Sequence, residues 1–324
     1  MKFSTILPLG LSTLALAAPT PTTNEKRGTV AKRAAITDAA FGYASENGGT
    51  TGGAGGSTTT VASFAEFTSA VKGDDKAVVV VDGSFSGEGK VKVGSNKSII
   101  GKDSGAKLSG FTIQVQDVSN VIVRNLAISK VVGGDAIGVQ KATNVWLDHL
   151  DLSSDMDHGK DYYDGLLDVT HACDYITISN VYFHDHYKAS LVGHSDSNGD
   201  EDKGHLTVTY ANNYWKNINS RGPSFRFGTG HIYNNYYENA ADGINSRLGA
   251  QILAQNNVFV GSKKPLYSVD DDGFAVAEGN DFGDGENTAP KGTFTKAPYT
   301  VDNLLDASEV KAAVVGTAGN TLSF

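Results

Sequence analysis

One short pattern built on asparagine recurs seven times and governs what this chain can fold into. It appears as Arg124-Asn125-Leu126, Asp148-His149-Leu150, Ser179-Asn180-Val181, Asn212-Asn213-Tyr214, Asn234-Asn235-Tyr236, Asn256-Asn257-Val258 and Gly279-Asn280-Asp281. Set on Asn125, His149, Asn180, Asn213, Asn235, Asn257 and Asn280, the spacings are 24, 31, 33, 22, 22 and 23. Self-similarity at a period near 22 is the mark of a solenoid, in which no repeat can bury its apolar face without its neighbours. Short alternating apolar runs accompany the pattern, at 78–81, 98–100, 121–123, 145–147, 176–178, 206–208 and 252–253. Alternation of that kind belongs to strands rather than helices. A strand, a sharp bend at asparagine and a second strand then make one coil. Stacked coils set Asn above Asn, so the amides can bond along a ladder, and Asn also tolerates the left-handed backbone of a sharp bend.

The expected architecture is therefore all-β: a right-handed, single-stranded parallel β-helix occupying residues 34–324 as one domain. Two helices are expected at its ends. Ser63 with Glu66 opens a helix over 64–71 that Gly73 stops, and Asp306 with Glu309 precedes another ending at Gly316. The longer spacings after His149 and Asn180 place larger loops on the central coils, where solenoids build their binding sites.

Residues 1–18 read as a secretory signal, with Lys2, an apolar run too short to span a bilayer, and Ala15-Leu16-Ala17 as the cleavage pattern. Residues 19–33 read as a propeptide carrying the dibasic pairs Lys26-Arg27 and Lys32-Arg33. Removing 1–33 takes away five bases and one acid, moving the formal charge from −9 to −13. So acidic a chain is a poor partner for nucleic acid, whose affinity rests on Lys and Arg. No later apolar stretch is long enough for a membrane span. In a secreted protein the lone Cys173 has no partner within the chain, so packing and hydrogen bonds must hold the fold. A monomer is expected. Asn96-Lys97-Ser98 makes Asn96 the one candidate N-glycosylation site.

Two features carry chemistry. Asp164 and Asp168 are four apart, on one side of a strand, and Asp135 lies one coil earlier, where stacking can bring it beside them. Three hard oxygen donors without clustered thiolates suit calcium; spacing alone fits a solvated acidic rim equally well. The second feature is the use of arginine. Beyond residue 33 the chain has 18 Lys but four Arg, and two of these, Arg221 and Arg226, fall in Arg221-Gly222-Pro223-Ser224-Phe225-Arg226. Where lysine is the default cation, such a pair points to bidentate recognition of carboxylates, or else to structural pairing with a loop carboxylate. Two other clusters carry less. His184-Asp185-His186 lacks a third zinc ligand and reads as surface or ladder histidines, and 196–202 reads as a solvated loop.

Taken together, these motifs resemble the pectate lyases of polysaccharide lyase family 1, especially secreted fungal members. The resemblance runs over nearly all of 35–324, from Gly48-Gly49-Thr50-Thr51-Gly52-Gly53, through Gly94-Ser95-Asn96-Lys97-Ser98-Ile99-Ile100-Gly101 and Asn144-Val145-Trp146-Leu147-Asp148-His149, to the Arg221–Arg226 segment. It implies calcium-dependent β-elimination of polygalacturonate (pectate). Asp135, Asp164 and Asp168 then stand as calcium ligands, Arg221 as the proton-abstracting base, and Lys188 and Arg226 as substrate-carboxylate binders. Gly133 stands where some members place a further acidic ligand. Asp148-His149, which has the look of a catalytic dyad, resembles a buried structural motif of the family. Because arginine is protonated over the ordinary pH range, such a mechanism implies an alkaline optimum. The rivals are a metal-free pectin lyase acting on methyl-esterified chains, a pectin hydrolase with paired carboxylates, and a non-catalytic β-helix that only binds glycan.

Overall fold

The structure is a computed structural model that describes residues 1, 35–269 and 272–324. Apart from residue 1, the signal and propeptide expected at 1–33 lie outside the described residues. Among those described, no helix is long and apolar enough to cross a membrane.

Ten strands stack in parallel register into one sheet, beginning with Ser57–Val61 and ending with Phe274–Glu278. All seven apolar runs contribute to this sheet, with Leu206 one residue ahead of its strand. It also holds Ser57–Val61 and Thr229–Tyr233, whose polar residues hide the alternation, and Phe274–Glu278, where four apolar residues run together. Register places Val79, Ile99, Val123, Leu147, Ile178, Tyr210, Ile232 and Ala254 in one inward column. All eight are fully buried. Thirteen further strands form the remaining faces. The ladder pairings are parallel throughout, each coil lying one strand spacing, about 4.8 Å, above the last.

Beside the aliphatic column runs an aromatic one. Phe183 stacks on Trp215 at 4.0 Å between ring centroids, Trp215 on Tyr237 at 5.6 Å, and Tyr237 on Phe259 at 4.2 Å. Parallel register repeats like on like, so one residue type serves a whole column, and each aromatic pair adds about 0.5–1.5 kcal/mol beyond its buried area.

At the corners the structure corrects the sequence alignment by one residue. The bends stack Asn125, His149, Asn180, Asn212, Asn234, Asn256 and Gly279, each with φ between 49° and 63°. The ladder runs instead through the next residue of each later coil. Asn213 donates to Asn235 Oδ1, Asn235 to Asn257 Oδ1, and Asn257 to Asn280 Oδ1, each at 2.9 Å. Bend and ladder are thus divided between adjacent asparagines. Asn125 belongs to the bend column, and its amide bonds Gly101 and Leu322.

The helix Phe64–Ala70 caps the N-terminal coils, its Phe67 buried against Phe85 and Phe111. Ser63 accepts from the Glu66 amide as expected, while Glu66 reaches back to the Ala62 amide. The second helix, Ala307–Val314, does not cover the other end. Its Val310 and Val314 pack on Tyr214, Tyr236 and Val258, along the outer flank of the later coils.

Candidate active site

The two larger loops leave opposite edges of one sheet. Residues 154–164 lead into the strand Gly165–Thr170, and residues 193–206 follow the strand Tyr182–Val192. Between them lies an open cleft floored by Ile137–Gln140, Gly165–Thr170, the end of Tyr182–Val192, Ser224–Arg226 and Asp242–Arg247.

Asp135 and Asp168 meet in this cleft across Gly165. A Cβ built on Gly165 would lie 2.7 Å from both Asp135 Oδ1 and Asp168 Oδ1, so glycine leaves a cradle between the two oxygens. Asp135 accepts the Gly165 amide at 2.8 Å and Asp168 accepts the Leu191 amide at 3.0 Å. Burial, then the facing Asp135, pushes the Asp168 carboxyl well above the usual range, with Arg221 opposing. Burial also raises Asp135, against the Gly165 amide. Asp168 is only 9% exposed, recessed in the face of the sheet. Two electron-rich oxygens pressed together with little water make a site that a cation would relieve. The donor set suits a hard divalent ion.

Asp164 stands apart from this pair. It is exposed on the rim, and its carboxylate takes the Lys188 ammonium at 3.0 Å, which Asp161 shares at 3.1 Å. Consequently, among the described residues no three His, Cys, Asp or Glu side chains converge as a closed metal cluster. At Gly133, where an acid would add a ligand, a Cβ would meet open space. Burial works against the charge of Lys188, but the two aspartates prevail and hold its ammonium above the ordinary lysine value.

Arg221 sits in the bend between Tyr214–Ser220 and Ser224–Arg226, with φ at 65° and followed by a cis Gly222-Pro223 bond. Among the described residues its guanidinium has no hydrogen-bond or ion-pair partner, yet its charge reaches Asp135, Asp161 and Asp168. Arg226, five residues on, is held by Asp196 at 2.6 Å and by the Gly193 carbonyl. Burial pulls Arg226 below the usual arginine value, against Asp196. The two arginines therefore differ as their neighbourhoods differ: one is tethered and one is not.

Sequence reasoning missed several residues of the cleft. Arg247 pairs in register with Arg226 and shares Asp196, so three of the four arginines beyond residue 33 line one cleft. That scarcity was itself the signal. Asp196 and buried Asp202 are also more than a solvated loop, since Asp202 accepts the Ala172 amide at 2.8 Å. His186, buried, bonds the Asp164 carbonyl at 2.8 Å and Ser154 at 2.6 Å, fixing the base of the rim loop. His184 bridges Asp151 and Asp185 and stacks on Tyr182.

A concavity of about 620 Å³ lies elsewhere, around Arg124, Trp146, Asp148 and His149. Asp148 there is committed to four donors: Arg124 and His149 on one oxygen, Ser179 and Asn180 on the other, all within 2.9 Å. The Arg124 guanidinium also bonds the Ala35 carbonyl and Asp38 and lies over Trp146 and Phe324. This fastens the segment at Ala35–Asp38 and the C-terminal Phe324 to the middle coils. The Asn96 amide is likewise occupied, donating to the Asp74 carbonyl and accepting from Asn120.

A pectate lyase family model matches residues 19–319. Pectate lyase A of Aspergillus niger is 65% identical over 312 residues, covering 95% of this chain and 94% of its own. A probable pectate lyase A of Aspergillus fumigatus is 66% identical over the full length of both chains. Among solved structures, a pectate lyase from Bacillus sp. N165, determined in complex with trigalacturonate, superposes with a TM-score of 0.77 at 30% identity. It covers 87% of this chain and 99% of its own. The pectate lyase of Acidovorax avenae shares the fold at a TM-score of 0.79 and 19% identity, covering 95% of this chain and all of its own. Fold, cleft and relatives define the class, a polysaccharide lyase on a parallel β-helix. Within it, the chain belongs to the pectate lyase family, in its fungal branch.

Proposed function

We propose that the protein, exported and acting as a monomer, cleaves (1→4)-α-D-galacturonan by calcium-dependent β-elimination, with 34–324 as its catalytic domain. The observation that carries the reading is the pairing, in one cleft, of a two-carboxylate cradle with an arginine that has no tether. Asp135 and Asp168 would hold the cation, and Asp164 would join them from the rim on leaving Lys188. When bound, calcium supplies Lewis-acid polarisation of the substrate carboxylate, which makes the adjacent C5 proton removable.

The chain's own residues do the rest. Lys188 and Arg226 engage neighbouring uronate carboxylates and hold the sugar in register. Arg221, in its unprotonated form, takes the C5 proton. The C5–H electron pair becomes the C4–C5 double bond, and the C4–O bond breaks. The leaving oxygen gains a proton from solvent, giving a 4,5-unsaturated end. Because guanidinium loses its proton only with difficulty, the rate should climb toward alkaline pH.

The decisive assay follows ultraviolet absorbance of unsaturated product on polygalacturonate, with calcium and with excess chelator. Absorbance that grows only with calcium supports the reading; saturated products, or full activity in chelator, overturn it. Arg221→Lys should lower kcat by orders of magnitude with substrate still bound, whereas Arg226→Lys keeps its charge but loses the fork, raising KM more than it lowers kcat. Near-normal kcat in Arg221→Lys would move the base role elsewhere, with Lys188 next in line.

A further inference from the structure

The cations of the cleft are not bare. Asp161 and Asp164 hold Lys188 from the loop 154–164, and Asp196 holds Arg226 from the loop 193–206. The two groups assigned above to substrate carboxylates thus each carry a carboxylate of the chain's own. The contact at Asp196 is the more telling, because that one acid reaches two arginines.

Arg226 and Arg247 are register partners on adjacent strands. Their like charges repel, and burial first, then Arg247, pull Arg226 below the usual arginine value against the opposing Asp196. Asp196 offsets the repulsion. Its Oδ1 accepts from Arg226 Nε at 2.6 Å, and its Oδ2 lies 3.4 Å from Arg247 Nη2. A carboxylate that gives one oxygen to each of two guanidinium groups makes the contacts a uronate would make in its place.

Position decides whether Asp196 orients the arginines or competes for them. An orienting partner stands behind a guanidinium and leaves its outer edge to the ligand. That place belongs to the buried Gly193 carbonyl, which accepts from Arg226 Nη1 at 2.9 Å. Asp196 stands on the solvent side: its side chain is 59% exposed, against 12% for Arg226 and 18% for Arg247. A uronate arriving from solution meets the aspartate first. The loop itself is pinned at both ends, by the Gly193 amide on the Val169 carbonyl at 2.9 Å and the Leu206 amide on the Cys173 carbonyl at 2.7 Å. Asp202 adds a third pin on the Ala172 amide. Asp196 lies between these pins, so its carboxylate can leave while the base of the loop stays, and it competes at high effective concentration.

We propose that Asp196 is a built-in stand-in for the substrate carboxylate: it fills the Arg226–Arg247 pair in the empty cleft and gives way to a uronate, and so sets the affinity of the enzyme for its polyanion. The proposal rests on the lyase reading and adds to it a residue that governs KM. Asp196→Asn keeps the shape and removes the competing charge. KM on polygalacturonate, with calcium fixed, should fall about fivefold, the occupancy that a partly exposed ion pair commands, with kcat no higher than wild type. Asp196→Glu restores a carboxylate and should return KM toward wild type. Asp200, exposed on the same loop, makes no bond to Arg226 among the described residues. Asp200→Asn takes away the same charge and should leave KM within about twofold. A second measurement needs no turnover. In excess chelator, trigalacturonate should raise the thermal midpoint of Asp196→Asn more than that of wild type, because it binds without displacing a competitor. A KM that rises in Asp196→Asn would make Asp196 an orienting partner of Arg226, and an unchanged KM would leave it no role; either overturns the proposal. So does an equal fall in Asp200→Asn, which would reduce the effect to net charge. Absence of unsaturated product from wild type overturns the lyase reading instead, and the melting comparison then decides the exchange alone, equal shifts in the two proteins refuting it.

Discussion

Replacing Asp148 by asparagine should weaken the protein without impairing its chemistry. Asp148 is 1% exposed and accepts four hydrogen bonds, two of them from Arg124 and His149. Burial alone would raise its carboxyl, but His149, Arg124 and Asn180 together bring it down to about 2. Against the ordinary aspartate value of 3.8, that difference corresponds to about 2 kcal/mol of stability by linkage. Breaking a buried ion pair by removing one partner costs about 3–5 kcal/mol. A loss of roughly 2–5 kcal/mol should therefore lower the thermal midpoint by about 4–10 °C in a domain of this size. The folded-state value lies below the unfolded one, so the stabilisation is complete above the ordinary aspartate range and fades as pH falls toward 2. Denaturant unfolding of wild type and Asp148→Asn at neutral pH, then at steps below pH 4, should show a gap that narrows with acid. Lyase kcat at neutral to alkaline pH should stay near wild type. A variant of undiminished stability, or one that folds normally but loses kcat, would refute the fastening role and restore Asp148-His149 as a catalytic dyad.

Three further outcomes follow from named contacts. Gly165→Ala puts a Cβ into the cradle 2.7 Å from both carboxylate oxygens, so calcium affinity by titration calorimetry should fall at least tenfold with circular dichroism preserved; unaltered affinity would remove Asp135 and Asp168 as a pair of ligands. Asn235→Ala cuts the ladder at a fully buried amide that serves Asn213, Asn257 and two carbonyls, and should cost roughly 2–4 kcal/mol in urea unfolding, whereas a change below 1 kcal/mol would show that stacking, not the ladder, secures that corner. Asn96 spends its amide on Asp74 and Asn120, so intact-mass analysis of protein from a fungal host should find it bare; a glycan there would mean that the corner rearranges.

The architecture was legible because parallel stacking writes itself into sequence as a period, and every coil repeats the demands of the one before. The register was legible only to within one residue. Asn212-Asn213, Asn234-Asn235 and Asn256-Asn257 offer the same residue for two jobs, and nothing local says which member bends and which bonds. Of the cleft, Asp135, Asp164, Asp168, Lys188, Arg221 and Arg226 were named from residue type, position and resemblance. The contacts that occupy them were not. Asp161 on Lys188 and Asp196 on Arg226 join residues 27 and 30 positions apart, and their loops have no periodicity to reveal such pairing. The second helix was seen but misplaced, because capping residues fix where a helix starts and not what it packs against.

A stack of coils coupled only to its neighbours resembles a deck of cards, able to shed its outer members one at a time. This deck is tied. The segment around Phe41–Ala44 bonds Thr177 and Thr209, more than 130 residues away. From the other direction Leu322 exchanges two hydrogen bonds with Asn125, and Phe324 lies over Arg124. The first and last described segments of the fold are thus anchored at mid-stack, beside the coils that carry the cleft. Loss of an outer coil then strains the binding of the whole, and thermal melting becomes a single concerted event instead of gradual erosion from the rims. For a stack whose lone Cys173 leaves it without an internal disulfide, that string matters as much as the cards.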